Sequence, residues 1–296
     1  MSEAGAVVAE LIPSEPGPAP APRRDAPDAP PVPLIFRIIA VITFVYLLLP
    51  VVIVVLAGLN SGDYLTFPPE GLSLRWVQAF LTSDVFLPAY LFSLRLAFCV
   101  MVVSTVFGTM AAIFLTRVRF PGRSFVRAFF MAPLLLPGLV LGLALYVYYL
   151  NTPVFGLART FTGMLIGHLL VTMPFVIGTV SAALYGFDRS LEEAARSLGA
   201  SPLKAFTSVT LPNIKSGITA GSLFAFIVSF GQFDLSLMLS TPNNTPLPFA
   251  MYNSLRYEFE PTAAAAGVFA IILVVLSMVL TSRLTNLSKF GGIKFS

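Results

Sequence analysis

The chain has 296 residues, of which 56% are hydrophobic and only 11% are charged. Soluble domains carry roughly 25% charged residues, so this composition predicts an integral membrane protein. The formal net charge of +4 does not indicate nucleic-acid binding, because the basic residues are dispersed among loops rather than clustered with aromatic side chains. One cysteine, Cys99, and one histidine, His168, are too few for a disulfide framework, a Cys/His metal site or a Cys–His nucleophile pair.

The N-terminal stretch over 1–33 is rich in proline, mixed with alanine, aspartate and arginine. Such a segment buries too little apolar surface to fold, so we expect a disordered tail ahead of a transmembrane domain over 34–296. A polyproline docking peptide is the alternative. A secretory signal is not expected, because acidic residues and prolines precede the first apolar run and no small-residue cleavage site follows it.

Six apolar runs are long enough to cross a bilayer, which takes roughly 20 residues of helix. Each run must be helical, because unpaired backbone amides cannot be left in lipid. The spans are predicted near 36–59, 94–116, 127–150, 161–186, 214–240 and 262–284. Prolines at 50, 133, 137 and 174 predict kinks in these helices. The sequence thus predicts an all-α membrane protein with six transmembrane helices.

The basic residues predict how the chain is oriented in the membrane. Fourteen of the 18 Lys and Arg residues fall on one side of the predicted spans, and only three fall on the other. Positively charged loops stay inside the cell. We therefore expect both termini, and the polar loop over 187–213 between spans four and five, to be cytoplasmic.

This polar loop contains the pattern of two short helices. Ser190, followed three residues later by Glu193, forms a capping box and predicts a helix from Leu191. Glu192 lies beside Glu193 in the first turn, where its charge complements the helix dipole. Gly199 supplies the left-handed backbone that commonly ends a helix.

The second helix of the loop is predicted to start immediately afterwards. Ser201 is a good N-cap and Pro202 suits the first helical position. Pro212 is expected to end this helix, because proline cannot continue it. The result is a compact helix–turn–helix, small enough to fit a groove on a partner.

The spacing in this loop is also a recognisable signature. It reads Glu193-Ala194-Ala195, three residues, Gly199, nine residues, and then Val209-Thr210-Leu211-Pro212. It closely resembles the cytoplasmic EAA loop of binding-protein-dependent ABC importer permeases, in which the loop carries the helix that docks on the ATPase. Val209 stands where that family usually has isoleucine, one methylene more. The resemblance assigns coupling to the ATPase to Glu193, Ala194, Ala195, Gly199, Ala200, Ser201, Pro202, Leu211 and Pro212.

The resemblance implies a type I ABC importer permease fold in the bacterial inner membrane, working by alternating access. It implies as partners two ATP-binding cassette ATPase subunits, a second homologous permease or a copy of this chain, and a periplasmic or lipid-tethered binding protein. The sequence has no GxxxxGK[ST] phosphate loop. We therefore expect a transporter subunit rather than an enzyme, with no cofactor on this chain and with ATP and Mg²⁺ held by the ATPase.

Asp234 is the only carboxylate inside a predicted span, so it is the first candidate for the substrate path. Burying it in lipid would cost about 2.5–3.5 kcal/mol, and it should therefore face protein or water. A carboxylate near the aromatic ring of Phe230 suits an alkylammonium group. Tyr146 and Tyr149 are further path candidates. Interfacial water or pairing with Arg95 are the alternatives for Asp234.

Within the family, the chain looks most similar to the polyamine-type permeases, which implies spermidine, putrescine or another small organic cation as substrate. Opines and phosphonates are the alternative substrates. An ATP-independent secondary transporter or channel is the main rival function, and it predicts several coupled intramembrane charges or an inverted repeat. A non-transporting membrane scaffold that recruits a soluble partner is a second rival.

Three further patterns predict packing rather than chemistry. Ser73 to Leu81 is expected to form a short helix at the outer interface, with Trp76 as its anchor. His168 is expected to form hydrogen bonds between helices. GxxxG pairs predict close helix contacts within the chain at Gly138 and Gly142, Gly163 and Gly167, and Gly217 and Gly221.

Overall fold

The computed structural model describes residues 33–152, 156–257 and 260–285. The predicted tail and the basic C-terminal end lie almost entirely outside these ranges. The regular elements in the described residues are helices, joined in two places by a 3₁₀ turn, Ala132–Leu135, and a π turn, Phe206–Thr210. The α-helices are α1 Leu34–Gly58, α2 Arg75–Leu81, α3 Phe86–Arg117, α4 Arg123–Met131, α5 Gly138–Asn151, α6 Phe161–Tyr185, α7 Ser190–Ser197, α8 Pro202–Ala205, α9 Leu211–Phe230, α10 Asp234–Leu239, α11 Leu247–Tyr257 and α12 Thr262–Thr285.

The chain divides into two units, over 1–47 and 48–296. In the first unit, the described residues are Pro33 and the N-terminal part of α1, whose apolar side chains are all exposed. The second unit contains the end of α1 and all the later helices. There Gly58 lies close against α12, where a Cβ would come within 2.7 Å of Val268.

Five helical stretches in the described residues are long and apolar enough to cross a membrane. They are Leu34–Gly58, Phe86–Arg117, Phe161–Tyr185, Pro202–Phe230 and Thr262–Arg283. The first, fourth and sixth predicted spans coincide with three of these helices to within two residues, and the second lies in a helix that begins eight residues earlier than predicted, at Phe86. A bent pair, Arg123–Leu135 with Gly138–Asn151, makes a sixth span if the two pieces are counted as one.

The third predicted span, 127–150, is not one kinked helix but two pieces that meet at 104°. Leu136 has an extended backbone, with ψ at 136°, between the 3₁₀ turn and the start of α5. The cause is Pro137, because proline pushes the residue before it out of the helical region and has no N–H to continue the ladder. The bend therefore follows from the sequence, but it is sharper than a kink.

The fifth predicted span, 214–240, is wrong at its end. Helix α9 stops at Phe230, Gly231 leaves the helix at φ −88° and ψ 2°, and a separate helix starts at Asp234. The short helix α10 packs on α5. Asp234 therefore begins a new helix after a break and does not lie inside a span.

Helices α3, α6 and α9 form the centre of the second unit and pack directly on one another. Ser104 of α3 and Thr172 of α6 share a hydrogen bond of 2.7 Å between buried hydroxyl oxygens. Gly217 and Gly221 of α9 bring its backbone against α6, where a Cβ on Gly217 would lie 2.9 Å from the carbonyl oxygen of Thr179. The predicted close packing at this glycine pair is confirmed.

The structure corrects the prediction that Trp76 is an interfacial anchor. The short helix itself is confirmed as α2, but the indole is buried and its Nε1–H donates to the carbonyl of Gly62 at 3.0 Å. The ring packs in a cluster with Phe80 and Phe86. Amphipathic spacing could not distinguish a lipid-facing side from a protein-facing side, because both environments are apolar.

Candidate coupling segment and translocation site

The polar segment over 187–213, called the coupling segment below, begins differently from the sequence prediction. Helix α7 starts at Ser190, and the backbone N–H of Ser190 donates to Oδ1 of Asp188 at 2.9 Å. This bond, followed by one with the Ser190 hydroxyl, lowers the pKa of the Asp188 carboxyl. The predicted capping box of Ser190 and Glu193 is wrong, because the helix starts one residue earlier and Ser190 already lies in its first turn.

The turn between the two short helices has the predicted form. Gly199 takes a φ of 91°, its N–H donates to the carbonyl of Arg196, and the N–H of Ala200 donates to that of Ala195. This pair of bonds closes the end of α7. The hydroxyl of Ser201 accepts the N–H of Lys204 at 3.3 Å and caps α8, with Pro202 at its first position. The prediction for this turn is confirmed.

The predicted end of the second helix at Pro212 is wrong. Helix α8 passes through the π turn into α9, so that Pro202–Phe230 is one helical stretch of 29 residues. Proline is tolerated here because Pro212 lies in the first turn of α9, after the ladder has been reset by the π turn. The side-chain amide of Asn213 donates to the carbonyl of Val209 at 2.6 Å. The coupling segment therefore joins the fifth span directly.

A polar knot ties this segment to the end of α3. The guanidinium of Arg117 holds Glu192 with two hydrogen bonds, of 2.6 Å and 3.2 Å, and Thr210 donates to the same carboxylate at 2.5 Å. Arg117 also donates to Thr210 at 3.2 Å. We call these three residues the Arg117 knot. It joins three parts of the chain that lie far apart in sequence.

The electrostatics of the Arg117 knot favour a charged Glu192. Partial burial raises the pKa of its carboxyl, but the hydrogen bonds from Arg117 and Thr210 and the charge of Arg117 outweigh this and hold the pKa below its ordinary value. Only 23% of the Arg117 side chain and 13% of the Glu192 side chain are exposed. Glu192 therefore does more than complement a helix dipole, because it fixes the position of α7.

The outward side of the coupling segment is different. Glu193 is 67% exposed and its nearest basic group is the Nε of Arg189, at 3.6 Å. Three leucines are exposed as well: Leu198 at 90%, Leu203 at 73% and Leu191 at 50%. Large apolar side chains on a short polar loop that lacks contacts for them are typical of a surface that a partner protein covers.

Asp234 lies at the break after α9, with its side chain exposed. A Cβ on Gly138, the first residue of α5, would come within 2.9 Å of its Oδ2 oxygen. The carboxylate therefore sits at the N-terminal end of α5, where the helix dipole favours negative charge. The alternative partner, Arg95, lies instead over the ring of Phe161 at 4.7 Å.

The other predicted path residues are held in separate contacts. Phe230 is buried in an aromatic cluster with Tyr90, their ring centres 5.8 Å apart, and the break separates it from the helix of Asp234. Tyr149 is buried and its hydroxyl donates to the carbonyl of Gly163. The ring of Tyr146 lies under the guanidinium of Arg159. A role for these three residues in translocation stays a prediction.

His168 joins helices across the break, as expected for an interhelical hydrogen-bonding residue. Its Nδ1 lies 2.9 Å from the hydroxyl of Ser229 on α9, and its Nε2 lies 3.4 Å from that of Ser236 on α10. The imidazole is fully buried. It therefore ties α6 to both sides of the break next to Asp234. Within the described ranges, no group of three or more His, Cys, Asp or Glu side chains is placed to hold a metal ion.

Comparison with known proteins agrees with this architecture. Residues 104–289 match the family model described as the binding-protein-dependent transport system inner membrane component. The chain belongs to this family. The permease is 29% identical to the spermidine/putrescine transport system permease protein PotC of Escherichia coli K12, over 84% of this chain and 92% of PotC. It is 33% identical to the putrescine transport system permease protein PotI of the same strain, over 76% of this chain and 81% of PotI.

Two further matches define how far the similarity reaches. The permease is 38% identical to the chloroplastic sulfate permease 2 of Chlamydomonas reinhardtii, over 65% of this chain and 55% of that protein. A solved bacterial ABC transporter involved in the import of the acidic polysaccharide alginate has the same fold, with a TM-score of 0.65 and 19% identity over 84% of this chain and 94% of the matched chain. The protein is therefore a permease subunit of an ABC importer, with the type I fold.

The residues that sequence reasoning missed are those of the Arg117 knot. Thr210 lies inside the recognised motif, and Glu192 is the residue before it, but Arg117 is 75 positions away from Glu192. No local pattern connects the end of the second span with the loop after the fourth. A basic residue at the end of one predicted span and two adjacent acids at the start of a predicted loop helix were the only available signal.

Proposed function

We propose that this permease subunit forms part of the translocation path of an ATP-driven importer of small organic cations. Two ATPase subunits dock on the coupling segment, a second permease or a copy of this chain completes the path, and a periplasmic or lipid-tethered binding protein delivers the substrate. The coupling end faces the cytoplasm, with both termini on that side. ATP and Mg²⁺ are held by the ATPase subunits and not by this chain.

The exposed surface of the coupling segment supports the docking part of this proposal. Leu198 and Leu203 project from the two sides of the Gly199 turn, where they are largely exposed to solvent. A groove on the ATPase that takes this turn would bury both leucines. The motif residues Glu193, Ala194, Ala200, Leu211 and Pro212 would then border the contact.

The internal side of the segment supports the coupling part. The Arg117 knot fixes α7 to α3, and the helical stretch Pro202–Phe230 carries α8 into the fifth span. ATP binding that moves the docked turn therefore moves two of the three central helices together. For nucleotide to drive the change, it must bind one of the two permease conformations better than the other, and this rigid attachment carries that difference into the membrane.

The carboxylate of Asp234 is the observation on which the cationic substrate rests. It is exposed at the break after α9, and within the described residues it forms no ion pair. The names of PotC and PotI support a polyamine, whereas the similar chloroplastic permease is named for sulfate, an anion. An opine, a phosphonate or another small solute is the alternative substrate.

Reconstitution of the full importer tests the proposal. The permease is assembled in liposomes with its ATPase, its partner permease and its binding protein, and uptake of labelled spermidine, putrescine and sulfate is measured with and without ATP. We expect ATP-dependent uptake of the amines and its loss on Asp234→Asn in a normally assembled complex. Uptake of sulfate but not of amines would refute the cationic substrate, and uptake that persists without ATP would favour a secondary transporter or channel.

A further inference from the structure

A cavity separate from Asp234 lies at the start of α3, at the end of the helix opposite to Arg117. The 32 residues of α3 span about 48 Å, so the cavity is far from the coupling segment. Its volume is about 380 Å³, and its walls are the residues around Phe86, the loop over 242–245, and α11. Small-molecule sites typically enclose about 300–1,000 Å³. The cavity is therefore large enough for a small solute.

Negative charge dominates this cavity. The charged residues that line it are Asp84 and Glu260, with no lysine or arginine among the described lining residues. Neither carboxylate has an ion-pair partner in the parts of the chain that the structure describes. Oε1 of Glu260 accepts a hydrogen bond of 2.6 Å from Thr262, which leaves its second oxygen available. A cleft lined by one sign of charge concentrates ions of the opposite sign.

A buried hydroxyl in the wall points to a ligand independently of the charges. The side chain of Ser254 is 6% exposed, and its Oγ has no hydrogen-bond partner within the described residues. Buried polar atoms are nearly always partnered, because an unsatisfied one loses its bonds to water without replacement. The carboxamides of Asn243 and Asn253 line the same cavity and add further acceptors. The wall thus offers more acceptor atoms than the described chain uses.

We propose that this cavity binds the ammonium group of a small organic amine. A primary ammonium carries three N–H donors, which suit the two carboxylates and the unpartnered hydroxyl of Ser254. Of the aromatic rings in the same wall, Tyr257 already lies under the guanidinium of Arg256, at 5.5 Å, so the carboxylates and the hydroxyl carry the recognition. The cavity is a site where an amine is held before it enters the path. The choice of amine rests on the proposed function, whereas the presence of an ammonium site does not.

Binding to the complete transporter without its binding protein tests this site. The complex of permeases and ATPases in nanodiscs is titrated with labelled spermidine at low ionic strength, on an Asp234→Asn background that removes the predicted path carboxylate. We expect saturable binding that weakens at least tenfold in the double variant Asp84→Asn, Glu260→Gln. The control is Asp63→Asn, which removes an exposed carboxylate paired with Arg75 outside the cavity and should leave binding unchanged.

The variant Ser254→Ala separates ligand binding from a structural role. Because its hydroxyl has no partner in the chain, its removal should leave the melting temperature without amine unchanged or higher, while spermidine affinity falls severalfold. A lower melting temperature with unchanged affinity would overturn the proposal. So would saturable binding that is equally strong in the double variant.

The outcomes also distinguish this site from its alternatives. In a parallel titration with the binding protein, a double variant that lowers only the affinity of that protein for the complex would show that a lysine side chain of that protein is the occupant and that the free-amine site is wrong. If amines bind in the cavity but are not taken up by the reconstituted importer, the proposed substrate is wrong while the ammonium site stands. If uptake of amines is normal and no saturable binding is found, the site is wrong while the proposed function stands.

Discussion

The two ends of α3 differ in which side chains are satisfied within the chain and which are left exposed or unpaired. At the Arg117 end, the charged groups are paired in a knot and the large apolar side chains of the coupling segment are exposed. At the Phe86 end, the large apolar side chains are buried together and the carboxylates of Asp84 and Glu260 have no ion-pair partner among the described residues. At the first end, polar contacts tie the coupling segment to α3, and the segment offers an apolar surface. The second keeps its shape through apolar contacts and offers charge.

Breaking the Arg117 knot should have the largest effect on this contrast. Arg117→Ala leaves the carboxylate of Glu192 mostly buried without its cation, which we expect to cost the coupling segment about 2–3 kcal/mol after allowance for its partial exposure. Hydrogen exchange of the purified permease should show faster exchange over 190–212 alone. Arg119→Ala, at an exposed arginine two residues further on, is the control and should change little. Equal exchange in both variants would show that the knot does not hold the segment.

Removing the apolar surface should affect the partner and not the fold. Leu198→Asp should weaken binding of the ATPase by about 30-fold, the size of a typical interface hot spot of about 2 kcal/mol. Thermal stability should be unchanged, because the side chain is 90% exposed. Ser208→Asp places the same charge elsewhere on the segment as a control. Undiminished capture of the ATPase by Leu198→Asp would contradict docking at this turn.

Crowding the contact between α6 and α9 should have a smaller effect, on stability. A Cβ added by Gly217→Ala would come within 2.6 Å of the Ala183 Cβ, and overpacking of this kind costs about 1–3 kcal/mol. Gly178→Ala on α6 is the matched control, since nothing lies within 4 Å of its added Cβ. It should be neutral or stabilising by up to about 1 kcal/mol. Melting temperatures in the opposite order would contradict the close packing.

Acid should weaken the Arg117 knot in a defined window. The folded-state pKa of Glu192 lies below its ordinary value of 4.5, so its stabilising effect is complete above that value and is lost as the pH falls through the folded-state pKa. At pH 7, the amide hydrogens over 190–212 should be better protected from exchange in the unmodified permease than in Glu192→Gln. This difference in protection should disappear as the pH falls below 4.5. A difference that stays constant down to pH 3 would exclude Glu192 as the titrating group.

The smallest effect is expected at the neighbouring acid. Glu193 and Arg189 form an exposed pair at 3.6 Å, so Glu193→Gln should change stability by no more than about 0.5 kcal/mol. This variant tests the difference between two adjacent carboxylates, because Glu192 is bound within the chain whereas Glu193 is exposed. ATPase binding should fall while hydrogen exchange of the segment stays the same. A loss of protection equal to that of Glu192→Gln would contradict the difference between them.

Local chemistry made the turn at Gly199 predictable, because its backbone requirement and the cap at Ser201 depend on neighbours a few residues away. The length of the hydrophobic runs located the first, second, fourth and sixth spans, because run length is also a local property of the sequence. The break before Asp234 was not predictable in this way. Apolar residues continue past Phe230 into α10, whereas the structure ends α9 at Phe230 and packs α10 on α5.

Two predictions were wrong because the sequence permits two alternative helix boundaries at each place. Asp188 and Ser190 lie two residues apart, and it is the side chain of Asp188 that accepts a backbone N–H at the start of α7. Pro212 can either end a helix or stand in its first turn, and the π turn before it permits the second arrangement. For the path, the sequence identified Asp234 as the unusual residue but could not place it. Its position depends on the start of α5, nearly a hundred residues earlier.

The helical continuity from Pro202 to Phe230 has a mechanical meaning. The second helix of the loop and the fifth span form one helical stretch of about 43 Å, in which the π turn is the irregular point. A displacement of the Gly199 turn is therefore transmitted along this helix to its far end, where the helix stops and Gly231 allows a change of angle. Asp234 stands just beyond that end. One helical element therefore connects the proposed docking turn with the proposed substrate carboxylate.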